Sequence, residues 1–180
     1  MLAATVLILA LAAEAKSPTP PYAALTSPTE SARYAFTHGC LATVREGVQL
    51  ADRPNHFIRM TDEKKGLYRM VGAGHVEMSD KLGPVCYLSV KDGSGEKLRA
   101  MVLELLAAEA PVRTVHDATI TPPDSKTTTF REERMCVQLG GRPVFALMTT
   151  GEARSRRKLQ LTLAGGSSAH AAACLAVKAP

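Results

Sequence analysis

The sequence predicts an α+β domain: a mainly antiparallel sheet of about five to seven strands with two principal helices on one face. Three observations predict it. Residues 29–48 and 95–110 space their apolar side chains helically. Most of the remaining chain alternates apolar and polar residues between short Gly- and Pro-bearing turns. Four widely separated cysteines, Cys40, Cys86, Cys136 and Cys174, fit a domain held by two disulfides. The expected order is α-β-β-α-β-β-β, with one or two further strands at the end.

The chain opens MLAATVLILALAAEAKS. Leu2 to Ala13 is apolar or small throughout, with Thr5 its only polar member. It is shorter than the roughly 20 residues a spanning helix needs. Its length suits a signal-peptide core, and Ala13-Glu14-Ala15 fits a small-x-small cleavage site, although no Lys or Arg precedes the apolar run. The expected organisation is a signal peptide over 1–15, a Pro/Ser/Thr-rich tether over 16–28, and a single α+β domain over 29–180. No transmembrane segment is expected after cleavage. An uncleaved cytosolic protein with four buried thiols is the alternative.

Ser27-Pro28-Thr29-Glu30 reads as a capping box with Pro at the first helical position. Ala32, Ala35, Phe36, Cys40, Leu41, Val44 and Val48 continue at helical spacing, which puts Cys40 on the buried face. Gly39 weakens the middle and Gly47 is a plausible stop. Residues 51–66 are polar and read as a loop with a short helical turn around His56 to Met60. His75 to Ser79 and Val85 to Val90 form a hairpin around Lys81-Leu82-Gly83-Pro84. Cys86, Leu88 and Val90 share one face of the return strand.

Gly93-Ser94-Gly95 leads into the second helix, with Ser94 as N-cap, a stripe of Leu98, Met101, Val102, Leu105 and Leu106, and Pro111 as stop. Strands follow over Val112 to Ile120, Thr127 to Leu139, Val144 to Thr149, and around Leu159, Leu161 and Leu163. Ala172 to Val177 is a candidate last strand. Cys86 to Lys91 and Cys174 to Lys178 share a faint pattern, but their lengths differ and they define no repeat.

The formal charge of +5 favours anionic surfaces without specifying one. With no Trp, four Phe and four Tyr, the chain is poor in the exposed rings that sugar and single-stranded nucleic-acid sites use. No nucleic-acid partner is therefore expected, and no cofactor or metal is expected either. The partner expected is an unknown protein or an anionic envelope component. Gly93-Ser94-Gly95-Glu96-Lys97 is too short for a phosphate-binding P-loop, and Glu96 stands where it would repel phosphate. The cysteines form no CxxC pair, and neither Cys40 nor Cys86 sits at a helix N-terminus that would activate a thiol. Four cysteines allow three connectivities. Phase favours Cys40–Cys86 in the core and Cys136–Cys174 on the outer face, because Cys136 is out of phase with Met135 and Val137.

The histidines are His38, His56, His75, His116 and His170, and no pair has the i, i+4 spacing of a helical metal site. His75-Val76-Glu77 places two ligand types on one strand face. His116-Asp117 with Ser167 or Ser168 would compose a triad on paper, but no Gly-x-Ser-x-Gly elbow accompanies it. Arg154, Arg156, Arg157 and Lys158 form a basic run, read either as an anion-binding patch or as a solvated loop guarding a sheet edge. The leading reading is an exported, periplasmic or secreted, disulfide-stabilised binding domain without enzymatic activity. It would act as an envelope accessory protein or as an inhibitor whose contacts come from residues 121–128 and 151–158. The alternative is a small exported hydrolase using His with a carboxylate and Ser.

Overall fold

The computed structural model describes residues 24–47, 49–52, 58–59, 67–69, 73–80, 85–121, 129–151, 156–165 and 174. The expected signal peptide, most of the tether and most of the candidate strand at 172–177 lie outside them.

The first helical region begins where its capping box places it. The Ser27 Oγ accepts the Glu30 amide at 3.1 Å, and the Glu30 carboxylate accepts the Ser27 amide at 3.1 Å. Helix α1, Pro28–Ala35, passes into a π-helical stretch, Phe36–Leu41, and then into α2, Ala42–Glu46. Gly39, expected to weaken the helix, falls in the π-helical stretch. Gly47 ends the region in the left-handed conformation, φ 74°, which glycine adopts without a Cβ penalty.

Replacing Ser27 with Ala removes the cap and is expected to cost about 1 kcal/mol, read as a lower urea midpoint. An unchanged midpoint would refute the role. Ser27 also holds the Glu30 carboxyl below its ordinary value, first through its side chain and then through its amide. A carboxyl depressed on folding stabilises above its unfolded pKa, and that contribution fades as pH falls through the folded value. The difference between S27A and the native protein should therefore narrow in acid.

Among the described residues, eight antiparallel strands form one sheet in the order β1-β2-β3-β4-β8-β7-β6-β5. Six carry most of it: β3 Val76–Ser79, β4 Val85–Val90, β5 Arg113–Ile120, β6 Phe130–Leu139, β7 Arg142–Gly151 and β8 Leu159–Gly165. Two short strands, β1 Ile58–Arg59 and β2 Leu67–Arg69, extend one edge. The α+β class is as expected, but the chain order is α-β-β-β-β-α-β-β-β-β. The helical turn expected around His56 to Met60 is corrected by β1, whose Ile58 pairs with Arg69. Strands of two and three residues are too short to display an alternating pattern, and their hydrogen bonds come from neighbouring strands.

Helix α3, Gly95–Glu109, joins the two four-strand meanders. Each meander follows a helical region, and their last strands, β4 and β8, pair antiparallel in mid-sheet with Leu88 opposite Leu161. The structural counterpart of β4 is thus β8, not the faintly similar segment at Cys174. Both helical regions pack on one face of the sheet. Val76, Met78, Leu88, Val90, Ala146, Met148, Leu161 and Leu163 are buried beneath them. Each fully buried Leu or Met here contributes about 1.5–3 kcal/mol.

Both disulfides have the expected pairing. Cys40–Cys86 ties the π-helical stretch to β4 through the core, and Cys136–Cys174 lies on the outer face. Edge strand β5 carries an irregularity between Thr114 and His116, a feature that disrupts edge-to-edge pairing. Among the described residues no helix is long and apolar enough to cross a membrane.

Candidate functional site: a polar cleft at the start of α3

The turn between β4 and α3 is wedged against the ends of β7 and β8. The Lys158 amide donates to the Val90 carbonyl at 2.9 Å, and the Gly151 amide donates to the Lys158 carbonyl at 3.1 Å. A Cβ at residue 95 would lie 2.5 Å from the Gly151 carbonyl oxygen and 3.1 Å from that of Lys158. Both contacts are with backbone, so the position requires glycine. Ser94 caps the helix by accepting the Lys97 amide at 3.4 Å. The Gly-Ser-Gly sequence is therefore a strand-to-helix junction, as expected, but a cleft of about 660 Å³ opens beside it. Ser94, Gly95, Glu96, Arg99, Arg131 and Thr150 line much of it, and Thr119 and Lys158 complete its polar wall.

Its charges are strongly ordered. Arg99 grips the buried Glu133 with two hydrogen bonds, Nε to Oε2 and Nη2 to Oε1, each 2.6 Å. Arg131 grips Asp117 in the same way, at 2.9 and 2.6 Å, and passes 3.8 Å from Glu133. Such paired bonds fix the plane of a guanidinium as well as its position. Hydrogen bonding from Arg131 holds the Asp117 carboxyl below its usual range. Thr150 faces the helix layer in phase with Ala146 and Met148 and is only 7% exposed.

A smaller hollow of about 260 Å³ lies on the outer sheet face, around Tyr87, Ser89, Thr149, Arg157 and Gln160. The basic run is thereby divided. Arg157 lines the outer hollow, Lys158 lines the cleft, Arg156 is exposed, and Arg154 lies outside the described residues. Of the two loops expected to carry inhibitory contacts, residues 122–128 and 152–155 also lie outside them.

The histidine constellations do not assemble among the described residues. His75 precedes β3 and His116 lies on β5, with four strands between. His75 Nδ1 meets Asp92 at 2.6 Å, while Glu77 accepts from Lys91 at 2.8 Å. Asp117, the paper partner of His116, is committed to Arg131. Ser167 and Ser168 lie outside the described residues. No group of three His, Cys, Asp or Glu side chains is placed to hold a metal among the described residues.

Sequence reasoning missed Arg99, Glu133, Arg131 and Thr150 as site residues, and it named Asp117 only as a triad partner of His116. A signal was present in β6. Met135, Val137 and Leu139 face the core, and the same phase run backwards reaches Glu133 and Arg131. Two charges on an inward strand phase mark a place where the core gives way to a polar site. A scan against protein-family models finds none that matches the chain, and a search of curated proteins finds no match either.

Proposed function

We propose that the chain is an exported binding domain, working in the periplasm or outside the cell, that holds a partner or ligand without chemically changing it. One observation carries this reading: the cleft's two arginines are immobilised by carboxylates while still bordering open space. A guanidinium remains protonated throughout the physiological range. Fixed in this way it orients an acceptor and does not shuttle protons. The disulfides support an oxidising compartment, and the apolar N-terminal run supports export. An envelope accessory role and inhibition of a partner enzyme are narrower forms of the same reading.

Intact mass of the protein recovered from its native cells tests the export part. The expected mass lacks residues 1–15 and four hydrogens. Capture of a reproducible envelope component by the native protein, lost in R131Q, tests the binding part. A full-length reduced chain in the cytoplasmic fraction, or identical capture by R131Q, would overturn the corresponding part.

A further inference from the structure

We propose that the cleft at the start of α3 binds the carboxylate of a small organic acid, an inference that rests on the binding-domain reading and gives its site a ligand class. The cleft presents donors from several independent elements. Helix α3 runs for 15 residues, and the amides of its first two, Gly95 and Glu96, have no backbone partner among the described residues. Arg99 and Arg131 each spend two of their five N–H groups on a carboxylate, leaving three. The Thr150 hydroxyl supplies the observation independent of the helix. Its residue is more than nine-tenths buried, it lines the cleft, and its side chain has no hydrogen-bond partner among the described residues. The hydroxyl opens onto the cleft, where it can donate to a ligand oxygen in place of water.

The ligand class follows from what these groups have in common. Amides and guanidinium groups only donate, so the complement is a group that only accepts. An ionised carboxylate is such a group. Charge limits it further. Arg99, Arg131 and Lys158 stand with Glu133, Asp117 and Glu96, so the cleft attracts by oriented donors and carries little net charge. Glu96 borders the site and opposes a second negative charge, which favours a carboxylate over a phosphate monoester. The volume of about 660 Å³ leaves room for a body well beyond the carboxylate itself and falls among small-molecule sites.

The test is a backbone-amide NMR titration of the disulfide-bonded protein, at constant ionic strength and pH 7.5, with acetate, acetamide and inorganic phosphate. Acetate is expected to shift the Gly95, Glu96 and Thr150 amides saturably, acetamide to leave them in place, and phosphate to bind more weakly than acetate. Thr150→Val conserves shape and removes one hydrogen bond to a charged group, so acetate affinity should fall about tenfold. Glu96→Gln, at an exposed position, should raise acetate affinity and narrow its advantage over phosphate, and it carries the test if T150V fails to fold. Shifts that do not saturate, equal response to acetamide, or shifts centred on exposed Arg142 and Arg156 would overturn the proposal. Envelope capture that persists while acetate fails would remove the carboxylate site alone. Loss of both would remove the binding-domain reading as well.

Discussion

Replacing Cys40 and Cys86 together with alanine is expected to lower the melting temperature by about 8–16 °C, because the bridge is worth about 4 kcal/mol and each kcal/mol moves a domain of this size by about 2–4 °C. The bridge closes a loop with a sequence separation of 46 residues, and the chain-entropy account assigns the gain to restricting the unfolded chain. Its position adds a native-state reason. Both cysteines are fully buried and join the π-helical stretch to β4, the strand through which the two meanders meet. Freed from it, the first helical region keeps its apolar face and its cap but loses its covalent anchor to the sheet centre. Differential scanning calorimetry of the double variant beside the native protein reads the effect. A shift under about 3 °C would show that packing alone seats the helix, against the entropy account.

The second bridge has a similar separation, 38 residues, but acts elsewhere. Residue 174 is held on the outer face by Cys136 and by Arg113, whose Nη2 donates to its carbonyl at 3.2 Å. Removing this bridge releases an attachment at the end of the described chain, with the central β4–β8 pairing still in place. The same entropic value is then divided between global stability and local opening.

Several features were legible in the sequence because each is a local rule. Ser27 and Glu30 form the cap their spacing predicts. The phase of Cys86 and of Cys136 assigned each to a face, and the two faces favoured the pairing that the structure shows. The alternating run ending at Leu139 closed β6 where expected, while β7, Arg142–Gly151, extends two residues beyond the expected Val144 to Thr149 at each end. The short strands β1 and β2 were not legible, since their order depends on partners and not on a pattern within them. The cleft was hidden for a related reason. Gly95, Arg99, Arg131 and Thr150 come from a helix and two strands, and no spacing along the chain links them. The basic run misled in the opposite way. Arg157 and Lys158 are adjacent in sequence, yet they line cavities on different sides of the sheet.

Replacing Glu133 with alanine is expected to cost about 3 kcal/mol, near the lower end of the range for removing one partner from a buried ion pair. The Glu133 side chain is only 3% exposed and Arg99 is 20% exposed. Without the carboxylate, the guanidinium is left without its two 2.6 Å acceptors in a largely desolvated setting. The cleft moderates the loss, because Arg99 borders it and can turn toward water, which is why the upper end of the range does not apply. Arg131 loses a neighbouring charge 3.8 Å away but keeps Asp117. If the pair serves to orient donors and not to stabilise the fold, removing both charges should be far milder than removing one. Met at both 99 and 133 keeps side-chain volume and adds apolar contact beside Met135 and Val102, so the double variant should regain most of the stability lost by E133A. The same double variant should lose acetate binding in the cleft. Urea unfolding of E133A and of R99M/E133M separates these effects. A double variant as unstable as E133A would mean that the fold itself depends on the ion pair. A stable double variant that still bound acetate at native strength would mean that the fixed guanidinium plays no part in the site.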